Sequence, residues 1–345
     1  MAVAKVSERW AAMSLVPKEE VGLLVDGLAR HYQVIGPKQK GKAFVLEKLA
    51  SGQELRLDYQ TSILPPRKAL IRPRETMFSF HDNQVETVQD AGPQVLFGLH
   101  PCDVHALTLL DQVFSLEYED PYYAARRQQT YVVALNCTTV GENCFCYLMG
   151  TGPTLRDGYD LLLTDLGNEY LVEVGSDAGE ELLRHLSLRP APRVRVVEKE
   201  KRLDQVRRQF RQQMEVTEMR EVLAGSYNHP AWRELAKDCL GCGNCTMVCP
   251  TCFCFQVKDQ LELDLNHGQR VREWDSCLLW DYSLVALGHN FRPQLETRLK
   301  QRLYHKLYYY EDQIGTPGCV GCGRCVTNCP AGIHPLEVVA RLKGE

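Results

Sequence analysis

The chain has 345 residues, of which 24% are charged, and a formal net charge of -4 at pH 7. This length allows two domains with separate cores, since domains usually contain about 100 to 200 residues. The acidic balance argues against a general nucleic-acid binder, and no apolar run reaches the roughly eighteen residues that predict a membrane span.

The N-terminus predicts a cytoplasmic protein. Charged residues interrupt every apolar run in residues 1–20, so this segment lacks the apolar core of a signal peptide. Thiols stay reduced in the cytoplasm, yet the chain contains 15 cysteines. Metal ligation therefore explains these cysteines better than disulfide bonds do.

Residues 1–225 predict an α/β domain. Apolar runs at 94–100, 130–136, 159–166 and 170–175 have the length of strands and are bounded by Gly, Asp or Asn. They alternate with helical patterns, as strands of an α/β fold do. A polar helix is expected from about Leu203 to Ala224, and the Gly and Pro residues that follow predict its end and the domain boundary.

Residues 226–345 predict a mainly helical, ferredoxin-like domain, which contains the one internal repeat of the sequence. CLGCGNCTMVCP at 239–250 matches CVGCGRCVTNCP at 319–330 in every Cys, Gly and Pro. Both copies read C-x2-C-x2-C-x3-C-P, a ligand run for [4Fe-4S] clusters whose fourth cysteine usually ligates the other cluster of a pair. Two complete runs disfavour the alternatives, a zinc module or a pair of disulfides. We assign the first cluster to Cys239, Cys242, Cys245 and Cys329, and the second to Cys319, Cys322, Cys325 and Cys249.

Four further cysteines predict a third cluster in the first domain. Cys102 and Cys137 each follow an apolar run, at the carboxyl end of a predicted strand, where ligands gather in α/β sheets. Cys144 and Cys146 are two residues apart, so both can face one side of an extended segment. Four inert, buried thiols are the alternative. The predicted ligands are Cys102, Cys137, Cys144 and Cys146, with Asp103 and His105 as substitute candidates.

The last three cysteines, Cys252, Cys254 and Cys277, are less decisive. They could ligate a metal or a cluster with one open corner, which would be a site for chemistry, or they could pack beside the other clusters without bonding. No nucleotide-binding signature accompanies them. The segment GTGPTL starts at Gly150 but lacks the last Gly of G-x-G-x-x-G, so neither flavin nor NAD is expected on this chain.

Several motifs resemble one family of iron–sulfur proteins. The segments FGLHPCDVHALTLLDQVF, NCFCYLMGTGP, CPTCFC and WDSC, with the two cluster runs, resemble the family that contains the beta subunit of cytoplasmic sulfhydrogenase-type [NiFe] hydrogenases and the corresponding iron–sulfur subunit of anaerobic sulfite reductase. The resemblance extends from about residue 65 to the C-terminus. One departure is His100, where relatives commonly have Arg. The resemblance implies an anaerobic electron-transfer subunit between a flavin subunit that uses NAD(P)H and a catalytic subunit.

Two other functions remain as alternatives. A catalytic reductase subunit could use a cluster at Cys252, Cys254 and Cys277, although the chain has no adjacent Cys-Cys pair of the kind found in heterodisulfide reductases. A redox sensor that binds nucleic acid would need a basic recognition helix, which the sequence does not predict. We therefore expect a non-catalytic electron-transfer subunit that binds neither a membrane nor nucleic acid.

Overall fold

The computed structural model describes residues 13–344, with the exception of residues 83, 89, 185–187, 211–213 and 265. Most of the segment used to predict the absence of a signal peptide, residues 1–12, lies outside the described residues. No helix in the described part of the chain is long and apolar enough to span a membrane.

The described chain forms two β-sheets. Their strands in chain order are β1 (Ser14–Pro17), β2 (Gln33–Lys40), β3 (Ala43–Lys48), β4 (Arg74–His81), β5 (Gln84–Thr87), β6 (Gln94–Leu99), β7 (Thr130–Leu135), β8 (Leu161–Asp165), β9 (Glu169–Val174), β10 (Arg189–Pro190), β11 (Phe255–Leu261) and β12 (His267–Trp274). The four apolar runs predicted as strands correspond to β6, β7, β8 and β9.

Helices connect and cover these sheets. They are α1 (Val21–Leu28), α2 (Pro101–Phe114), α3 (Pro121–Gln128), α4 (Asp177–Leu182), α5 (Arg193–Arg207), α6 (Val216–Gly225), α7 (Ala231–Asp238), α8 (Asn244–Met247), α9 (Leu295–Tyr304), α10 (Tyr310–Ile314), α11 (Arg324–Thr327) and α12 (Pro335–Lys343). A π-helical turn, His305–Tyr309, joins α9 to α10.

The first sheet has eight strands in the order β10-β1-β9-β8-β7-β6-β2-β3. The central strands β2, β6, β7 and β8 are parallel to one another, and the flanking strands are antiparallel to their neighbours. Residues of β6 alternate between two cores: Val95 and Phe97 pack with α1, and Leu96 packs with α2. Helices therefore cover both faces, as expected for an α/β domain.

The single helix expected from Leu203 to Ala224 is wrong. Helix α5 ends at Arg207 and α6 begins at Val216. After α5 the chain brings Phe210 against Tyr147, with the ring centroids 5.5 Å apart, and against the cluster of buried residues around Cys102. Helix α5 thus ends just before this partly buried aromatic side chain, whose contacts its polar neighbours in the sequence do not indicate.

The second sheet is antiparallel, in the order β11-β12-β4-β5, and it joins the two parts of the chain. Strands β11 and β12 form a hairpin within residues 226–345. The prediction that this region is mainly helical is therefore not confirmed. The hairpin is largely solvent-exposed on β11, so its sequence lacks the apolar alternation that predicts strands. Because β12 pairs with β4, the sheet contains strands from both predicted domains. The boundary at residue 225 stays a prediction.

A buried ionic network holds this junction together. Glu75 on β4 accepts hydrogen bonds from Arg272 on β12, at 2.9 Å from Nε and 2.6 Å from Nη2, and from Arg126 on α3. Arg272 also donates to Asp120, the residue that caps α3. The side chains of Glu75, Arg126 and Arg272 are buried. The carboxylate of Glu75 thus connects the second sheet to α3, a helix that packs on the first sheet.

We expect the Glu75→Ala variant to be less stable than the native chain by about 3 to 5 kcal/mol, because it leaves two buried guanidinium groups without their shared carboxylate. Urea unfolding of anaerobically purified protein, followed by circular dichroism, measures this difference. The control is Glu86→Ala on β5, where the side chain is exposed and a change below about 0.5 kcal/mol is expected. Equal unfolding midpoints for the two variants would contradict the role of Glu75.

Candidate iron–sulfur centres

The two cysteine runs have the same local structure. Gly241 and Gly321 have φ values of 63° and 61°, and Gly243 and Gly323 have 76° and 72°, a left-handed region that residues with a Cβ rarely adopt. In each run the second of these glycines precedes a short helix, α8 or α11. The amides of Gly241 and Gly321 donate to the thiols of Cys239 and Cys319, at 3.4 and 3.5 Å. Such amide contacts stabilise negative charge on a ligating sulfur.

The four cysteines assigned to the first cluster lie around one surface depression. It lies beside α9 and the start of α12 and is partly open to solvent. The last of these cysteines comes from the second run, as the expected exchange of ligands requires. Cys325, which we assign to the second cluster, lines the same depression. The cysteines in its wall are Cys239, Cys242, Cys245, Cys325 and Cys329.

The cysteines assigned to the second cluster also lie close together. Burial raises the pKa of Cys319, Cys322 and Cys325, and a negative charge on Cys249 raises it further in each case. For Cys322 the pKa reaches about 12. Cys249 comes from the first run, so both runs again contribute to one group of thiols.

The cysteines assigned to the third cluster meet at one edge of the first sheet. Cys102 lies in the first turn of α2 directly after β6, and Cys137 follows β7, the parallel neighbour of β6. Burial raises the pKa of Cys137 well above its usual value, with further contributions from Cys146 and Cys144. Burial likewise raises the pKa of Cys102, and Asp103 and Cys146 raise it further. The structure therefore brings all four predicted residues together.

The segment with Cys144 and Cys146 packs directly on the second cysteine run. The amide of Phe145 donates to the carbonyl of Gly321 at 2.8 Å, and the Thr151 hydroxyl donates to the carbonyl of Val320 at 2.7 Å. The thiol of Cys144 donates to the carbonyl of Cys322 at 3.7 Å. The second and third groups of cysteines are therefore adjacent.

A buried ion pair that the sequence did not predict fixes the same contact. Arg324 of the second run donates to both carboxylate oxygens of Asp103 at 2.6 and 2.7 Å, and also to the carbonyl and hydroxyl of Ser62. Arg324 is 1% exposed and Asp103 is fully buried. Asp103 thus neutralises Arg324 and is not free to replace a cysteine ligand, and His105 lies further along α2, partly buried. The sequence signal is Arg324 itself, since the first run has Asn244 at that position.

His100, the residue that departs from the family pattern, lies beside this pair. Its ring stacks on Tyr59 with the centroids 4.2 Å apart. Burial lowers the pKa of His100 to about 4, although Asp103 opposes this effect. The imidazole is therefore neutral at pH 7.

Buried positive charge beside the first two groups of cysteines fits an anionic cofactor. Arg67 donates to the carbonyl of Cys249 at 2.9 Å, and Arg302 donates to the carbonyl of Cys245 at 3.1 Å. Both are buried, and within the described residues Nη1 of Arg67 and Nε of Arg302 have no hydrogen-bond partner. A buried cation normally requires a nearby anion. A [4Fe-4S] cluster with four thiolate ligands is an anion, so the residues present suit it.

The remaining three cysteines lie next to the second group. Cys252 is hydrogen-bonded to Cys249, and a hydrogen bond with Cys277 lowers the pKa of Cys254 to about 6. Tyr282 makes a second hydrogen bond to Cys254, which also lowers its pKa. The structure thus pairs Cys254 with Cys277 and places Cys252 beside Cys249. A ligand role for these three residues stays a prediction.

Comparisons with known proteins agree with this arrangement. The model of the 4Fe-4S dicluster domain family matches residues 238–333, which contain both cysteine runs. The chain is also 37% identical over 313 residues to sulfhydrogenase 2 subunit beta of Pyrococcus furiosus, which covers 90% of this chain and 92% of that protein. The chain belongs to this sulfhydrogenase beta-subunit family. The resemblance drawn from the motifs is confirmed, and the chain is an iron–sulfur protein of the 4Fe-4S type. No solved structure matches it.

We expect the Gly321→Ala variant to lose bound iron, because the added methyl group would lie 2.6 Å from the Cα and amide nitrogen of Cys146. Iron per chain, measured after anaerobic purification, should fall by at least the roughly four irons of one cluster. The matched control is Gly41→Ala, which has the same φ of 61° but no atom within 4 Å of the added group. Both variants carry the same backbone strain, so equal iron contents would contradict direct packing between the two segments.

Proposed function

We propose that this chain relays electrons through three [4Fe-4S] clusters as a non-catalytic subunit of a larger oxidoreductase. The observation that carries the proposal is the convergence of cysteines from two distant runs on one depression. This depression also contains the buried Arg302, whose Nε has no hydrogen-bond partner among the described residues. The proposed ligands are Cys239, Cys242, Cys245 and Cys329 for the first cluster, Cys319, Cys322, Cys325 and Cys249 for the second, and Cys102, Cys137, Cys144 and Cys146 for the third.

The contacts between the three groups support one order for the relay. The third group packs on the second run through Phe145 and Thr151, and Cys325 of the second group lies in the wall of the depression of the first. Electrons would therefore pass between the third and the first cluster by way of the second. The protein would supply the ligands, the amide donors to sulfur and the exclusion of water, while the clusters supply one-electron chemistry.

The surface near the first cluster supports a docking face for a partner subunit. Cys242 is the exposed cysteine among the fifteen, all of which lie in the described part of the chain. Its neighbour Leu240 is exposed, and the loop that follows Leu278 of the depression exposes Trp280, Leu287 and Phe291. Contiguous exposed apolar groups usually mark an interface, and we propose that Leu240 and this loop belong to one. We assign this face to the flavin-containing partner, which would bring its own redox centre close to the first cluster.

The name of the relative supports the proposal that this chain has partner subunits. That protein is a beta subunit of a sulfhydrogenase and therefore one part of an assembly. We infer that this chain likewise connects a flavin subunit that uses NAD(P)H to a catalytic subunit of the hydrogenase or sulfite-reductase type. The chain itself would bind neither flavin nor NAD. The cytoplasmic location, inferred from the sequence, stays a prediction.

Iron quantitation tests the number of clusters. We expect about twelve irons per anaerobically purified chain, since each cubane contains four. Cys137→Ser should lower this number to about eight, because it removes one ligand of the third cluster. Cys277→Ser is the control and should retain about twelve irons together with full electron transfer.

Two other results would revise the proposal. About eight irons in the native chain would remove the third cluster. About sixteen, with loss of four in Cys277→Ser, would make Cys252, Cys254 and Cys277 ligands of a further cluster and favour the catalytic alternative.

A leucine substitution tests the docking face. We expect Leu287→Glu to release the flavin-containing partner from the anaerobically purified complex, because the carboxylate would be buried at an apolar contact. Leu263→Glu is the matched control, since Leu263 is equally exposed, at 105%, but lies between β11 and β12. Flavin and iron per chain are measured together. Flavin should be lost from Leu287→Glu alone, while iron stays unchanged, and retention of flavin in both variants would contradict the proposed face.

A further inference from the structure

Three buried cations form a stripe along one helix face. Arg298 and Arg302 lie on α9 and Lys306 lies in the π-helical turn that follows, at a spacing of four residues. Residues four apart face the same side of a helix, where like charges repel one another. The three side chains are nevertheless only 8%, 8% and 2% exposed. We call these residues the cationic stripe.

The cationic stripe has no carboxylate partner among the described residues. Its hydrogen bonds go to backbone carbonyls instead: Arg298 Nε to Leu278 at 2.9 Å, Arg302 Nη2 to Cys245 at 3.1 Å, and Lys306 Nζ to Thr251 at 2.8 Å. Carbonyl oxygens carry only partial charge and do not neutralise a buried cation. Lys306 Nζ also lies over the rings of Tyr310 and Phe253, at 4.6 and 5.9 Å from their centroids, but an aromatic ring carries no net charge either. The positive charge of the stripe therefore favours an anion that is not a side-chain carboxylate.

The acceptors of the cationic stripe follow the order of the cysteine groups. Leu278 lines the depression of the first group, and Cys245 is one of its predicted ligands. Thr251 comes two residues after Cys249, a predicted ligand of the second group, and its hydroxyl lies 3.3 Å from the Cys249 thiol. The stripe thus runs from the first group to the second, parallel to the proposed relay.

Arg302 occupies the middle of this path. It lines the depression together with Cys245 and Cys325, which are predicted ligands of different clusters. Its Nε is buried and has no hydrogen-bond partner within the described residues. The next cation along, Lys306, lies in a π-helical turn, a rare geometry that occurs frequently at functional sites.

We propose that Arg298, Arg302 and Lys306 are positioning residues whose unpaired charges stabilise the reduced states of the first and second clusters, with Arg302 shared by both. The inference rests on the proposed function. Reduction of a cluster adds one electron, breaks no bond and makes the cluster one charge more negative. A fixed cation beside it, in a poorly solvated interior, favours that more negative state. Loss of the cation shifts the equilibrium toward the oxidised cluster.

A redox titration of the Arg302→Gln variant tests this role. EPR signals of the full-length, anaerobically purified chain are followed against potential, and the third cluster is assigned by its loss in Cys137→Ser. The first and second clusters should each become at least tenfold harder to reduce, which is 59 mV for a one-electron couple. The third cluster should keep its potential. Arg302→Lys, which restores the charge, should recover most of the shift.

Lys300→Gln is the matched control. Lys300 lies on the same helix and is equally buried at 8%, but the carbonyl to which it donates belongs to Tyr227, which lies outside the cysteine-rich segments. Its loss should leave all potentials unchanged. Unchanged potentials in Arg302→Gln with full iron content, or a failure of Arg302→Lys to restore them, would overturn the proposal.

A second variant covers the case in which Arg302→Gln loses iron. Lys306→Gln should then lower the reduction potential of the second cluster alone. The absence of that shift in potential overturns the proposal. Failure of the relay itself is a different result. In that case the iron content is full and the variants still show the shifts in reduction potential. The chain in its complex, however, does not pass electrons to the partner.

Discussion

Buried positive charge without a carboxylate counterion in the described part of the chain is the constraint on which the C-terminal part of this protein depends. Arg67, Arg302 and Lys306 are held by backbone carbonyls of the cysteine-rich segments, and such contacts alone do not balance a desolvated cation. Left-handed glycines turn the backbone of both cysteine runs. Cofactor and protein are therefore mutually dependent. The negative charge of a bound cluster would balance the buried cations, and the cations favour binding of an anionic cofactor.

A second constraint connects the sheet edge to the dicluster region. The Asp103–Arg324 pair couples the first turn of α2 to the second cysteine run, and Gly321 approaches Cys146 more closely than any residue with a side chain could. The pair is fully desolvated, so its geometry matters more than its net stabilisation. The α/β domain therefore forms part of the surroundings of the second group of cysteines, because its Cys144–Cys146 segment packs on the second run.

The sequence was most informative where one chemical requirement sets the spacing of residues. The cysteine runs, the strands β6 to β9 and the meeting of Cys102 with Cys137 at neighbouring strand ends all follow from short-range patterns. The hairpin β11–β12 could not be predicted, because its stability comes from pairing with β4 and not from its own apolar alternation. The end of α5 coincides with the packing of Phe210 against residues distant in the sequence, which a local pattern does not show. The cationic stripe was visible as three basic residues four apart, but only the structure shows that they point inward.

The shared antiparallel sheet has a consequence for how the protein is made. Glu75 and Arg272 are 197 positions apart, so during synthesis β4 has no partner on its β12 side until most of the chain has left the ribosome. The first cysteine run precedes β12 and the second follows it. Under the proposed ligand assignment each of the two clusters would take ligands from both runs, and cluster insertion and closure of this sheet would then belong to the same late stage of maturation. An unpaired β4 edge would expose an immature chain to wrong strand pairing, a hazard that completion of the chain removes.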